Sequence, residues 1–186
     1  TSSNMTVEAN GFDTVFSGNY IRTNSTKEYN AIWVNSKSAT LTFALSNSGS
    51  ITLDDTINGE NEFNISITGD NSKSVFKANN YIDNAILTLA GATLKLASYD
   101  YTNYLTHRDE YNDYNAYKAA NPITGKNDST ILSQSNLVLN SGVIDSRDDV
   151  YTNYIFGKVT SDSAALWNID LSLNDVIADS FTVASG

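Results

Sequence analysis

Residues 85–98 read AILTLAGATLKLAS, and residues 136–149 read NLVLNSGVIDSRDD. Each holds two short runs of alternating apolar and polar residues. The runs meet at a step of small residues, Ala90-Gly91-Ala92 in the first and Asn140-Ser141-Gly142 in the second. Period-2 alternation puts Leu87, Leu89, Leu94 and Leu96 on one face, the signature of half-buried strands. The step is too short for a helical crossover, and it lacks the Asn-Gly or Asp-Gly pair of a two-residue hairpin. A strand–step–strand unit written twice predicts strands stacked on counterparts elsewhere in the chain, with inward side chains piled into apolar columns. Leu137, Leu139, Val143 and Phe181 are expected to join those columns.

Similar runs recur on both sides. They include Thr6–Glu8, Ala31–Val34, Thr40–Phe43, Ser50–Leu53, Phe63–Ile67 and Ser74–Lys77, then Tyr154–Phe156, Trp167–Leu171 and Asp179–Val183. Between residues 40 and 96 their starts lie roughly 8 to 14 residues apart, a rhythm that an antiparallel sandwich also produces. Asn58-Gly59 is the one hairpin-type pair among them. The leading fold class is therefore all-β, a parallel β-helix (β-solenoid), with an antiparallel β-sandwich as the alternative.

Composition supports the β class. The chain has 186 residues, of which 24 are Asn, 23 Ser and 19 Thr, against ten Gly and one Pro. Short polar side chains bond to nearby backbone and favour turns and strand faces over helix interiors. With 40% hydrophobic and 17% charged residues the chain is too apolar to be a disordered tail. A formal net charge of −10 argues against nucleic acid, which needs a basic stripe, and against an anionic membrane surface. No run reaches the ~18 apolar residues of a membrane helix, so the segment is not expected to be embedded. The chain has no Cys, a usage compatible with export by a bacterium. It is expected to be a single solenoid segment excised from a longer surface protein, with any targeting signals outside it.

One stretch breaks the rhythm. Residues 99–130, YDYTNYLTHRDEYNDYNAYKAANPITGKNDST, carry six of the eleven Tyr and the only Pro. Thr106 followed by Asp109 or Glu110 resembles a helix start, with Tyr111, Tyr114, Tyr117 and Lys118 along one side and Asn121-Pro122 as the stop. This predicts a short amphipathic helix on an excursion between two coils. Its tyrosines, Tyr101, Tyr104, Tyr111, Tyr114 and Tyr117, are the binding candidates, because a flat ring with a polar tip suits sugars and proteins alike. The plainer reading is that the rings fasten the excursion to the coils. The echo Tyr-Thr-Asn-Tyr at 101–104 and 151–154 favours that reading, since it predicts rings at equivalent places in two coils.

Catalytic and metal chemistry find little footing. His107 is the only His, in a polar segment beside Arg108 and Asp109, and with no Cys a zinc site built on several His or Cys is excluded. Acidic clusters at Asp54-Asp55, Asp145, Asp148-Asp149 and Asp170, Asp175, Asp179 are the candidates for a glycosidase or polysaccharide lyase. Adjacent Asp residues on a strand point to opposite faces, however, and Asp is a common turn residue. Asp54-x-Thr56-x-Asn58-Gly59 hints at a calcium loop but has Ile65 where a Glu ligand belongs. No cofactor is expected. Thr40-Leu41-Thr42 stands nearly alone as a Thr-x-Thr row, so an ice-binding face gains little support.

Three stretches together carry a family resemblance: GSITLDDTINGENEFNISITGDNSKSVFKANNYIDNAILTLAGATLKL (49–96), NLVLNSGVID (136–145) and WNIDLSLNDVIADSFTV (167–183). They resemble the passenger domains of Gram-negative autotransporters, of the repetitive, adhesin-like type. The resemblance implies a right-handed β-solenoid displayed on the bacterial cell surface and anchored by a membrane barrel outside this chain. It also implies a non-enzymatic role in adhesion, aggregation or shielding, with a host glycan, a host protein or another copy as partner. The matched motifs are structural, so no functional residue is carried over, and the Tyr-rich excursion has no counterpart in them.

Overall fold

A computed structural model describes residues 4–16, 31–34, 39–54, 56–59, 62–71, 73–79, 82, 85–96, 104–105, 107–122, 130–131, 135–146, 153–169, 171 and 175–184. The strands in chain order are β1 (Met5–Glu8), β2 (Asp13–Phe16), β3 (Ala31–Val34), β4 (Thr40–Leu45), β5 (Ser50–Leu53), β6 (Thr56–Gly59), β7 (Phe63–Gly69) and β8 (Val75–Ala78). They continue with β9 (Ala85–Ala90), β10 (Thr93–Leu96), β11 (Thr130–Ile131), β12 (Asn136–Asn140), β13 (Val143–Ser146), β14 (Asn153–Ser161), β15 (Leu166–Ile169) and β16 (Asp175–Val183). A helix, α1 (Tyr114–Ala120), lies between β10 and β11.

The fold is all-β and its sheets are parallel. The first sheet runs β1-β4-β7-β9-β12-β14, with β16 on the far side of β14 and β11 beside its first two residues. The second runs β2-β5-β8-β10-β13-β15, and β3 pairs with β6 in a small third sheet. Every pairing among the described strands is parallel, and none joins strands consecutive in sequence. That excludes the up-and-down pairing of an antiparallel sandwich for these strands. Asn58-Gly59 is not a hairpin: both residues lie inside β6, paired in parallel with Trp33 and Val34. The same strand removes the calcium-loop reading, and Ile65 is buried in β7.

The small-residue step is the corner where the chain leaves the first sheet for the second: β9 and β12 belong to one, β10 and β13 to the other. A sharp corner uses left-handed backbone, and Gly91 (φ +64°) and Ser141 (φ 55°) supply it at stacked positions. Asn10, Gly11, Asn47 and Ser48 do the same at two further corners. Gly tolerates this conformation without penalty, and Asn is the most tolerant residue with a side chain.

Stacking turns sequence alternation into a core. Leu41, Ile65, Leu87, Leu137 and Val159 lie in one register row of the first sheet, and Phe43, Ile67, Leu89 and Leu139 in the next. Across from them Ile51, Phe76, Leu94 and Ile144 form a row of the second sheet. All are 5% exposed or less. The rows meet face to face, Phe43 and Phe76 placing their ring centroids 4.7 Å apart. Each fully buried Leu, Ile or Phe contributes about 1.5–3 kcal/mol relative to an exposed one.

Two expected core members are placed differently. Val143 is half-exposed, because β13 begins in register with Thr93 and it is Ile144 that stacks on Leu94. Phe181 is in register with Val159 but belongs to the outermost described strand, and half of it stays exposed (51%). It still packs near Trp167, centroids 5.7 Å apart. The large exposed apolar side chains sit on or next to the end strands β1, β2, β15 and β16.

Buried hydroxyls complete the hydrogen bonding between layers. Ser74 Oγ donates to Leu45 O (2.8 Å). Ser135 Oγ donates to Ile82 O (2.7 Å) and accepts from Ala85 N (3.2 Å). Outside the core, carboxylates bind corner amides one layer away. Asp70 accepts from Asn47 N at 2.8 Å and Ser48 N at 3.3 Å; Asp162 accepts from Ser141 N at 2.8 Å.

Candidate functional site

The tyrosine excursion is shorter in helix and tighter in packing than its sequence suggests. α1 starts at Tyr114 rather than after Thr106, because Asp113 is the N-cap and its carboxylate accepts from Ala116 N at 2.8 Å. Upstream, turns occupy residues 107–110, with His107 N donating to Tyr104 O and Glu110 N to His107 O. The stop falls where expected: Asn121 is the C-cap, its N–H and its side-chain amide both donating to Tyr117 O, and Pro122 follows.

Spacing along α1 brings Tyr114, Tyr117 and Lys118 to one side. Tyr117 is the hub and is buried. Around it stand Tyr111 edge-on at 5.3 Å, Tyr104 at 5.8 Å, His107 at 6.4 Å and Tyr114 at 6.5 Å between centroids. Lys118 Nζ lies 4.5 Å from the Tyr114 ring centre, a cation–π distance. The Tyr111 hydroxyl accepts from the Asn121 amide at 3.2 Å. Four of the five candidate tyrosines are thus brought together; Tyr101 lies outside the described residues. Leu105 and Tyr117 are buried, yet neither belongs to the main core cluster. The rings pack on one another and give the excursion a small core of its own. The Tyr-Thr-Asn-Tyr echo does not place its last rings equivalently. Tyr154 is fully buried in the main core, whereas Tyr104 belongs to the excursion's cluster.

The acidic candidates are spread out. Asp54 follows β5 and accepts from the Asn79 amide at 2.7 Å. Asp145 lies on β13 in register with Lys95 and Asn168. Three strand steps separate β5 from β13, about 14 Å, more than the roughly 5–9.5 Å between the carboxyls of glycosidase pairs. Asp175 and Asp179 lie on β16; Asp55, Asp148, Asp149 and Asp170 lie outside the described residues. His107 is exposed. Among the described residues no group of three or more His, Asp or Glu could hold a metal ion.

Among the described residues two carboxylates have lowered pKa values, both at corners. Asp70 is held below the usual 3.8 chiefly by the Ser74 hydroxyl, with the Asn47 and Ser48 amides adding to it and desolvation opposing. Asp162 is lowered chiefly by the Ser141 amide. Each negative charge is used on local backbone, which marks a structural clasp.

A second surface emerges that sequence reading did not assemble. On the first sheet Thr42, Ser66, Thr88, Val138, Thr160 and Thr182 lie in one register row on the face away from the core. A parallel row beside it holds Thr40, Asn64, Ile86 and Asn136. From β4 to β12 these rows contain no charged residue. The equivalent row of the second sheet runs Thr52, Lys77, Lys95, Asp145 and Asn168. Comparison of the chain with protein-family models, curated proteins and solved structures finds no match.

Proposed function

We propose that the chain is a right-handed β-solenoid segment of a bacterial surface protein of the autotransporter-passenger type, acting in adhesion as a rigid non-catalytic element. One observation carries the reading: parallel strands recur in register along the first sheet, and three of the intervals are 22 residues. Ile65 to Leu87, Leu137 to Val159 and Val159 to Phe181 are each one such interval. A chain that visits the first sheet, turns a corner into the second and returns one layer on follows a coil. Parallel crossovers of this kind are right-handed in nearly all proteins. The short β3–β6 sheet, extended by the Ile57–Ile82 bridge, supports the reading as the start of a third side. Such a rod carries many exposed positions at fixed spacing, which suits multivalent attachment.

The test is adhesion of beads coated with the purified chain to host epithelial cells, together with a glycan array. Binding above that of beads coated with an unrelated acidic protein is expected. The absence of binding to cells and glycans alike would reduce the chain to a scaffold, and release of sugar from an offered polysaccharide would replace adhesion with catalysis.

A further inference from the structure

We infer that the outer face of the first sheet binds a linear, uncharged polysaccharide laid along the stack, roughly one sugar per strand. This rests on the adhesion reading and names its ligand class. Charge is the first argument. The chain carries a net −10, yet across β4, β7, β9 and β12 the outward positions hold Thr, Ser, Asn, Ala, Ile and Val. An anionic polymer would meet repulsion from the rest of the surface, and a cationic one would be drawn to acidic regions elsewhere. An uncharged ligand is the one this patch favours over its surroundings.

Spacing is the second argument. Adjacent strands stand ~4.8 Å apart, close to the length one pyranose ring occupies along a chain. The row Thr42, Ser66, Thr88 therefore presents a hydroxyl at each successive sugar, able both to donate and to accept as sugar hydroxyls do. Asn64 adds an amide on one side, while the Asn136 amide donates to Glu62 Oε1 at 2.8 Å and accepts from Lys158 N at 2.7 Å. Val138 and Ile86 offer methyl groups to the C–H face of a ring. The sheet is already ordered and β-branched side chains keep few rotamers, so little freedom is lost on binding. Single contacts of this kind are weak, and affinity comes from repetition.

The experiment is titration of the full chain with neutral linear oligosaccharides of two to six sugars (cello- and manno-series), followed by calorimetry and amide NMR. Oligogalacturonates of equal length serve as the charged comparison. Affinity is expected to rise with length to about four sugars, the number of strands in the uncharged patch. Ser66→Arg and Thr88→Arg, both outward, are expected to lower it at least tenfold while leaving the circular-dichroism melt in place. Lys95→Ala, on the other sheet, should change it less than twofold. Loss of binding in Tyr111→Ala with the arginine variants unaffected would overturn this surface while leaving adhesion standing. Preference for the charged oligomers, or no affinity for any neutral series beside retained cell adhesion, would overturn it as well.

Discussion

Removing residues 100–127 tests the proposed coil directly. Between Leu87 and Leu137 the register spans 50 positions, where neighbouring circuits span 22. Deleting those 28 residues restores 22 and leaves five residues between β10 and β11; six separate β13 from β14 in the next circuit. The native link from Leu96 to Thr130 is 33 residues long. Closing 33 residues rather than five costs about 1.7 kcal/mol by the logarithmic loop law. Against that gain, the buried ones among the excursion's described residues, Leu105 and Tyr117, lie outside the main core cluster, so removing these two opens no cavity among the stacked leucines. The shortened chain should therefore fold with equal or higher stability, by up to about 1.5 kcal/mol. For a chain of this size that corresponds to a rise in Tm of about 3–6 °C. Urea titration followed by circular dichroism measures both. A loss of more than about 2 kcal/mol, or of the β spectrum itself, would show that the excursion buttresses the core and that the circuit does not close across the cut.

Two further outcomes follow from the corners. Gly91→Ala should destabilise by about 2 kcal/mol or more. The new Cβ would sit in left-handed backbone at φ +64° and 2.7 Å from Gly69 O; Ser141→Gly, at the stacked position with φ 55°, should lie within about 1 kcal/mol of the parent. Urea midpoints decide both, and an unaltered midpoint in Gly91→Ala would refute the strained-corner argument. Asp70 and Asp162 titrate below 3.8 in the folded chain, so the stability they contribute is complete above that value and fades as pH falls through their lower folded values. Acid unfolding should accordingly steepen below about pH 4, and Asp70→Asn with Asp162→Asn should flatten that limb while lowering stability at neutral pH. An unchanged acid limb in the double variant would remove these clasps from the account.

What could be read from the chain, and what could not, follows from where the information is stored. Most strands of the first two sheets were legible because one face of each is buried: alternation in Phe63-Asn64-Ile65-Ser66-Ile67 is a direct imprint of inside and outside. β2, β6 and β11 were missed. Thr56-Ile57-Asn58-Gly59 buries Ile57 and ends on a hairpin-like pair, so no alternation distinguishes it from a turn. The phase error at Val143 has a similar origin, since the step Asn140-Ser141-Gly142 does not state which residue resumes the strand; only the partner Leu94, 50 residues earlier, fixes it. The helix start was misplaced because Thr106 and Asp113 are both acceptable caps by type, and tertiary packing around Tyr117 selected the second.

The outward hydroxyl row was illegible for a deeper reason. Its members are 24, 22, 50, 22 and 22 positions apart from Thr42 to Thr182, so no fixed window aligns them. Within any one strand the pattern is a single Thr or Ser flanked by apolar residues, indistinguishable from ordinary polar-out alternation. A register map is what converts six isolated residues into one surface. The same irregular spacing argues that the row is more than a by-product of composition. Asparagine outnumbers threonine 24 to 19 in this chain, yet the row across six strands of the first sheet holds four Thr, one Ser and the Thr-shaped Val138, while Asn64 and Asn136 lie in the neighbouring row. Strand preference for β-branched residues explains Thr over Asn in general, but it acts equally on the second sheet, where the corresponding row holds Val15 and Thr52 beside two Lys, one Asp and one Asn. The difference between these two outward rows is what a requirement imposed from outside the fold would leave behind.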